Sequence, residues 1–334
     1  MLLFLFYRIG GKIMSITFEE LRDQVEGLVQ TYQTNPDLIA ELLQFKAQFY
    51  RYSLRNTMAI KSQNPYATFV DSFLGWRKKG YNVLRGEKGI YIWTPVIQKS
   101  FFRSKEEPHV SISKATLEEK QKIAREEIPV KEKLIFRLGS VFDISQTTCP
   151  PEDYPQIYSM GYPDVEHKNL YELLRQFAEK SGFEVNVNNV HSIGLGGFYQ
   201  PATDAIVLSD KLNDTRQLSV LCHELAHGLM HKTSTQPKEV VEFEAEGLAI
   251  MLLTRMGLPV SDQNKRYASN YYRKIDREHY DMDKSFARMQ RAYNFVVEGF
   301  ERELTALSPE ETISHKRAME SQRRITENFI KDLR

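Results

Sequence analysis

The sequence predicts an α+β chain of two domains, and three observations carry that reading. The chain has 334 residues, more than one typical domain needs. Helical spacing up to Tyr52 gives way to strand-like alternation at Ile90–Pro95 and Lys133–Ile144, so helices and strands share the N-terminal half. A proline-rich stretch without period, beginning at Cys149-Pro150-Pro151 and running to Pro163, then separates that half from a second mixture of helices and a hairpin. The expected division is an N-terminal extension at 1–17, a first domain at 18–148, a linker at 149–163 and a second domain at 164–334.

Composition fits this. With 41% hydrophobic and 27% charged residues the chain has ample core for a soluble globular protein, and the net charge of +1 identifies no partner by itself. Cys149 and Cys222 are the two cysteines, which excludes a disulfide framework and fits a reducing cytoplasm. The apolar run Leu2–Tyr7 is too short to span a bilayer and lacks the basic start of a signal peptide, so no membrane association is expected. Initiation at Met14, with the codons of Gly10-Gly11 serving as a ribosome-binding sequence, would account for the extension.

In chain order, Phe18, Leu21, Val25, Leu28 and Val29, then Leu38, Leu42, Leu43, Phe45 and Phe49, have helical spacing, and Asn35-Pro36 divides them into two helices. A helical run from Ser53 reaches the turn at Gln63-Asn64-Pro65, and Thr68–Lys79 reads as a further short helix stopped by Gly80. Arg85-Gly86-Glu87-Lys88-Gly89 is a tight turn into the Ile90 strand, whose expected partner is the Lys133–Ile144 strand. Between them, residues 103–132 are charged and poor in large apolar groups. They read as a solvated excursion with one exposed helix at Lys114–Glu127. After the linker come a helix from Leu170 to Lys180, a strand at Phe183–Val187, and a hairpin turning at Pro201-Ala202-Thr203-Asp204. The second hairpin strand, Ala205–Ser209, leads into the next helix and reads either as an edge that an extended peptide could join or as an ordinary hairpin strand within the sheet. Beyond Pro259 the chain reads as helical to its end, with Tyr267, Tyr271, Tyr272, Arg273 and His279 as undifferentiated candidates for stabilising an oxyanion.

The segment that follows the hairpin carries the chemistry. In Val220–His231, His223 and His227 stand four apart and so project from one helical face, with Glu224 about 100° around. Two imidazoles can hold zinc there, and the carboxylate between them can take a proton from zinc-bound water. A second helix, Glu239–Leu253, places Glu242 and Glu246 on an apolar stripe, where carboxylates are costly unless a cation meets them. The pattern resembles the thermolysin-like zincins, which implies Glu242 as third ligand and Glu246 as the group orienting a ligand histidine. Glu239 and Glu244 are expected in solvent, His231 at a helix end stabilised by the dipole, and Cys222 as a buried thiol.

Residues 51–100 carry nine cations against Asp71 and Glu87, interleaved with Tyr52, Tyr66, Phe69, Phe73, Trp76, Tyr81, Tyr91 and Trp93. Cations that track phosphates beside aromatics that stack on bases suit single-stranded nucleic acid; an aromatic core under an idle basic surface has the same composition.

Taken together, these motifs resemble the ArdC-type antirestriction proteins of mobile elements. The N-terminal match rests on Tyr52–Asn56, Asn64–Thr68, Trp76–Gly80, Arg85–Ile90 and Val141–Thr147. The C-terminal match rests on Phe198–Asp204, His223–His227 and Glu242–Ala249, and is also similar to the ImmA/IrrE-type metallopeptidases. The resemblance implies a single-stranded DNA-binding α+β domain followed by a zincin-like metallopeptidase domain with an HExxH helix. It implies zinc as cofactor, Glu224 as general base, single-stranded DNA and a protein substrate as partners, and Arg55, Asn56, Trp76, Arg77, Lys78, Lys79, Arg85 and Lys88 as DNA contacts. The 103–132 excursion departs from the family. The competing expectation is a DNA-coating protein that shields incoming strands and uses its metal site only structurally.

Overall fold

The computed structural model describes residues 16–49, 51–103, 109–150, 167–189 and 196–307. The extension up to residue 15, the proline-rich stretch from 151 and the chain beyond 307 lie outside the described residues.

Helix α1 (Phe18–Thr34) starts with a reciprocal cap: the Thr17 side chain accepts the Glu20 N–H, and Glu20 accepts the Thr17 N–H at 2.7 Å. It stops before Pro36, and α2 (Ile39–Gln48) and α3 (Leu54–Gln63) follow, so the break expected at Asn35-Pro36 is present. The single helix expected over Thr68–Lys79 is corrected. Val70–Ser72 forms strand β1, and only Phe73–Lys78 is helical (α4). Val70 is buried in the sheet core, and the Ser72 hydroxyl caps α4 by accepting from the Gly75 N–H at 3.0 Å.

Strand β2 (Ile90–Phe101), the short β3 (Val110–Ser111), α5 (Leu117–Ala124) and β4 (Val130–Asp143) complete the N-terminal part. Its antiparallel sheet has the order β1-β4-β2-β3, with β2 and β4 paired along their length as expected. Helix α5 buries none of its residues, so the exposed helix is real but shorter than the pattern suggested. Along the free edge of β2, Asn56 donates to the Trp93 carbonyl and accepts its N–H, both at 2.9 Å. Gln63 does the same for Tyr91 at 2.8 and 2.9 Å, so helix α3 covers the edge as a neighbouring strand would.

The C-terminal part runs α6 (His167–Lys180), β5 (Glu184–Asn188), β6 (Gly197–Gln200), β7 (Ala205–Ser209), α7 (Asp214–Met230), α8 (Lys238–Arg255), α9 (Asp262–Lys274) and α10 (Met282–Leu307). The order of its sheet is β5-β7-β6. Of the two readings of Ala205–Ser209, this overturns the edge. Strand β7 pairs in parallel with β5 and antiparallel with β6, which buries Ile206 and Leu208 completely; β6 takes the edge instead.

One buried core joins the two halves. Leu21 and Val25 of α1, Leu42 and Leu43 of α2 and Met58 of α3 lie in the same cluster as Leu173, Leu225, Leu248, Phe286 and Val296 from the C-terminal helices. Polar links cross the same boundary: the Tyr293 hydroxyl donates to the Ala47 carbonyl at 3.2 Å, and Arg273 pairs with Asp37 at 2.9 Å. Among the described residues no helix is long and apolar enough to cross a membrane.

Candidate metal centre

Helix α7 brings its two histidines toward α8. The Nε2 atoms of His223 and His227 lie 3.1 Å apart, and Glu242 Oε2 lies 3.6 Å from the first and 3.8 Å from the second. Two imidazoles and a carboxylate bound tetrahedrally at ordinary zinc distances would stand about 3.3–3.5 Å apart. The three atoms therefore already outline one face of a metal polyhedron, and a divalent cation fits them.

Two outer networks fix the rings. Behind His223, Glu246 Oε2 lies 3.0 Å from Nδ1, and Glu246 Oε1 is held in turn by the Asn264 amide at 2.6 Å. An ionised carboxylate can only accept, so Nδ1 carries a hydrogen, and once the second ring proton is displaced Nε2 presents its lone pair to the centre. Behind His227, Nδ1 faces His231 Nδ1 at 3.4 Å, and His231 Nε2 meets Glu244 Oε2 at 3.1 Å. Glu244 also accepts from the Ser285 hydroxyl at 2.7 Å and pairs with Arg288. With the carboxylate as terminal acceptor, His231 donates from Nε2 and accepts from His227 Nδ1–H, which again turns the ligand's Nε2 lone pair inward.

This second network departs from the sequence reading. Glu244 is fully buried, because helix α8 is enclosed on every side along this stretch and Arg288 of α10 compensates the charge. His231 is the C-cap of α7 and a hydrogen-bonded link, more than a residue placed for the dipole. The visible signal was the repeat 223, 227, 231, which sets a third histidine on the ligand face.

The electrostatics agree with the placement. Burial, then the neighbouring His223, lowers His227 to about 4, leaving this ring neutral and able to ligate. For His223 burial acts in the same direction, but hydrogen bonds to Glu242 and Glu246 outweigh it and lift the ring to about 10. A proton thus occupies the carboxylate-rich side of the centre, and a metal ion entering would release it. The His223 hydrogen bond holds Glu242 below its usual range, whereas burial pushes Glu224 up. Glu224 also accepts from the backbone N–H of Tyr199, so the edge strand β6 touches the base.

Glycines permit this packing. A Cβ on Gly228 would come 2.4 Å from the Phe183 ring, and one on Gly197 would come 2.6 Å from the Val207 carbonyl. Cys222 is a fully buried thiol, as expected. Of the five candidates for oxyanion stabilisation, Tyr271 is the one coupled to the site: burial, then the charge of Glu242, raises its phenol to about 12. Arg273 is committed to Asp37, His279 to Asp276 at 2.7 Å, and Tyr272 is wholly buried.

The expected DNA contacts divide. Trp76 is 1% exposed, packs edge-on to Phe69 and donates its indole N–H to the Phe142 carbonyl, so it belongs to the sheet core. Asn56 spends its whole amide on β2, Lys79 pairs with Asp71, and Arg55 bridges Glu26 at 2.5 Å and Asp283 at 2.8 Å. Arg77, Lys78, Arg85 and Lys88 are exposed cations at one end of the sheet.

Comparison with known proteins matches this architecture. Residues 11–142 match the model of the N-terminal domain of anti-restriction factor ArdC, and residues 178–259 match the IrrE N-terminal-like domain of the peptidase M78 family. The chain therefore joins a first part similar to the ArdC N-terminal domain to a second part similar to the IrrE-like, zincin-type domain of the peptidase M78 family. An uncharacterized protein of Bacillus anthracis, pXO2-81, is 29% identical over 310 residues, which cover 87% of this chain. The chain spans about half, 52%, of that relative's length. Two crystal structures of antirestriction ArdC from plasmid R388 are also similar. The metal-free one has a TM-score of 0.44 at 16% identity over 74% of this chain and 85% of that one. The Mn(II)-bound one has 0.47 at 15% identity over 85% and 98%.

Proposed function

We propose that this is an antirestriction-type protein of a mobile element that binds single-stranded DNA through its N-terminal part and hydrolyses a peptide bond at a zinc site in its C-terminal part. The observation that carries the hydrolytic reading is the convergence of His223, His227 and Glu242 within 3.8 Å, with the buried Glu224 one residue along the same helix. His223, His227 and Glu242 would hold the ion, and a zinc ion there supplies Lewis acidity toward a water molecule and a carbonyl oxygen.

The chain's own residues do the rest. Glu224, with its raised proton affinity, accepts a proton from the attacking water and returns it to the departing amine. The Tyr199 N–H would orient that carboxylate, and strand β6, whose outer edge pairs with no strand among the described residues, is the element an extended peptide would join. Tyr271, whose phenol feels the charge of Glu242, would donate to developing charge on the carbonyl oxygen. A purely structural zinc site closes its coordination with a fourth protein ligand and has no use for a base such as Glu224, which separates this reading from DNA coating alone.

Elemental analysis of the purified chain tests the assignment. About one zinc per chain is expected, lost in His227→Ala and in Glu242→Gln. Full occupancy in either variant would remove that residue from the ligand set.

A further inference from the structure

Beyond Trp93 the paired strands β2 and β4 leave the core as a two-stranded ribbon that carries the charged excursion at its tip. Directly opposed residues of an antiparallel pair share a face. The register Thr94↔Arg137, Val96↔Ile135, Gln98↔Lys133 and Ser100↔Lys131 therefore sets these side chains on one side of the ribbon. At its base the same face is Ile90, Ile92 and Val141, buried under α2 and α3. Farther out it is open, and it carries Arg137, Lys133 and Lys131, all exposed, and no carboxylate. Among the described residues, the ion pair on these strands is Lys99 with Glu132 at 2.6 Å, which lies on the opposite face. Beside it that face exposes two large apolar side chains, Leu134 at 57% and Phe136 at 54%.

Same-face residues of a strand recur every ~7 Å, so Lys131 and Lys133 stand about 7 Å apart and Arg137 about 14 Å farther on, beyond Ile135, spacings comparable to one and two phosphate repeats of an extended single strand. Among the described residues no strand pairs with the outer edge of β4 beyond Val141, so a ligand strand could run along it with phosphates toward the cations and bases toward Phe136. Charge on an exposed strand also discourages edge-to-edge aggregation, but either sign serves that purpose, and here one face holds a single sign.

We propose that this ribbon is a phosphate track for single-stranded DNA, which gives the stem of the charged excursion a binding role. The inference rests on the DNA-binding reading above and deepens it.

The test measures anisotropy of a fluorescent oligothymidylate with the full chain over a range of salt. One variant replaces Lys131, Lys133 and Arg137 by glutamine; a second exchanges them for the other cation (Lys131→Arg, Lys133→Arg, Arg137→Lys). The glutamine variant should bind more weakly and show a log K against log salt slope shallower by about 2, at roughly 0.7 for each phosphate that is no longer neutralised. The charge-retaining variant should keep the native slope. If the native chain binds and the glutamine variant has an unchanged slope, the ribbon is not the track, while DNA binding stands. If the native chain does not bind the oligonucleotide, the DNA-binding reading falls and takes the ribbon with it.

Discussion

At residue scale, the candidate ligand set was legible because helical geometry alone puts His223 over His227, and because two carboxylates on an apolar stripe favour a cation nearby. His231 and Glu244 were harder to read. A buried carboxylate two residues from a ligand looks, in sequence, like any charged helix position until α10 is known to bring Arg288 against it. The network makes a definite expectation: His231→Ala and Glu246→Gln should each weaken metal affinity by roughly 10-fold to 100-fold, measured by chelator competition, while leaving the fold intact. Unchanged affinity in His231→Ala would reduce the relay to packing. Lys46 offers a second test, in stability. It is fully buried, with its Nζ 3.3 Å from the Phe49 carbonyl, and burial pushes it down to about 7. The folded chain thus releases this proton near pH 7, whereas the unfolded chain holds it to about 10.5. Stability should therefore rise with pH through that window, and the contribution should be fully lost below it. Lys46→Met should raise the melting temperature at neutral pH and remove this rise; a variant that melts lower than the native chain would contradict the account.

At element scale, the sequence showed helices and strands well where one face repeats, and poorly where tertiary partners decide. Val70–Ser72 joined β4 and left the predicted helix because a sheet edge was available to it. Strand β7 became central because β5, which is distant in sequence, pairs with it in parallel. Gly228 illustrates the same override. Alanine is favoured over glycine inside a helix by about 1 kcal/mol. Here its Cβ would meet the Phe183 ring at 2.4 Å, and overpacking costs typically about 1–3 kcal/mol. The clash should win, so Gly228→Ala should lower the melting temperature, and adding Phe183→Ala should recover part of the loss. A stabilised Gly228→Ala protein would show that α7 can shift away from β5.

At the scale of the whole molecule, composition and the linker pointed to two domains, and α1, α2 and α3 of the first share a core with α6–α10 of the second. That shared core was invisible in sequence: apolar stripes announce that a helix is buried, without saying against what. The shared core predicts one cooperative thermal transition, and poor folding of an isolated fragment covering residues 16–150, which would expose Leu42, Leu43 and Met58. Two separated transitions would contradict it. It also joins the part proposed to bind DNA to the proposed hydrolytic centre through one core, so the two proposed functions can be measured on one intact chain, each against the other.

That separation allows the most direct measurement of the central claim, which is that Glu224 performs acid–base chemistry beside a metal held by His223, His227 and Glu242. The Glu224→Gln chain should be compared with the native one for zinc content, for affinity to single-stranded DNA and for protection of incoming DNA from restriction in cells. Zinc and DNA binding should be unchanged, and protection should be lost as hydrolysis slows by roughly 10²-fold to 10⁴-fold. A Glu224→Gln protein that keeps its zinc and still protects DNA in full would contradict the account and assign the function to the DNA-binding part alone.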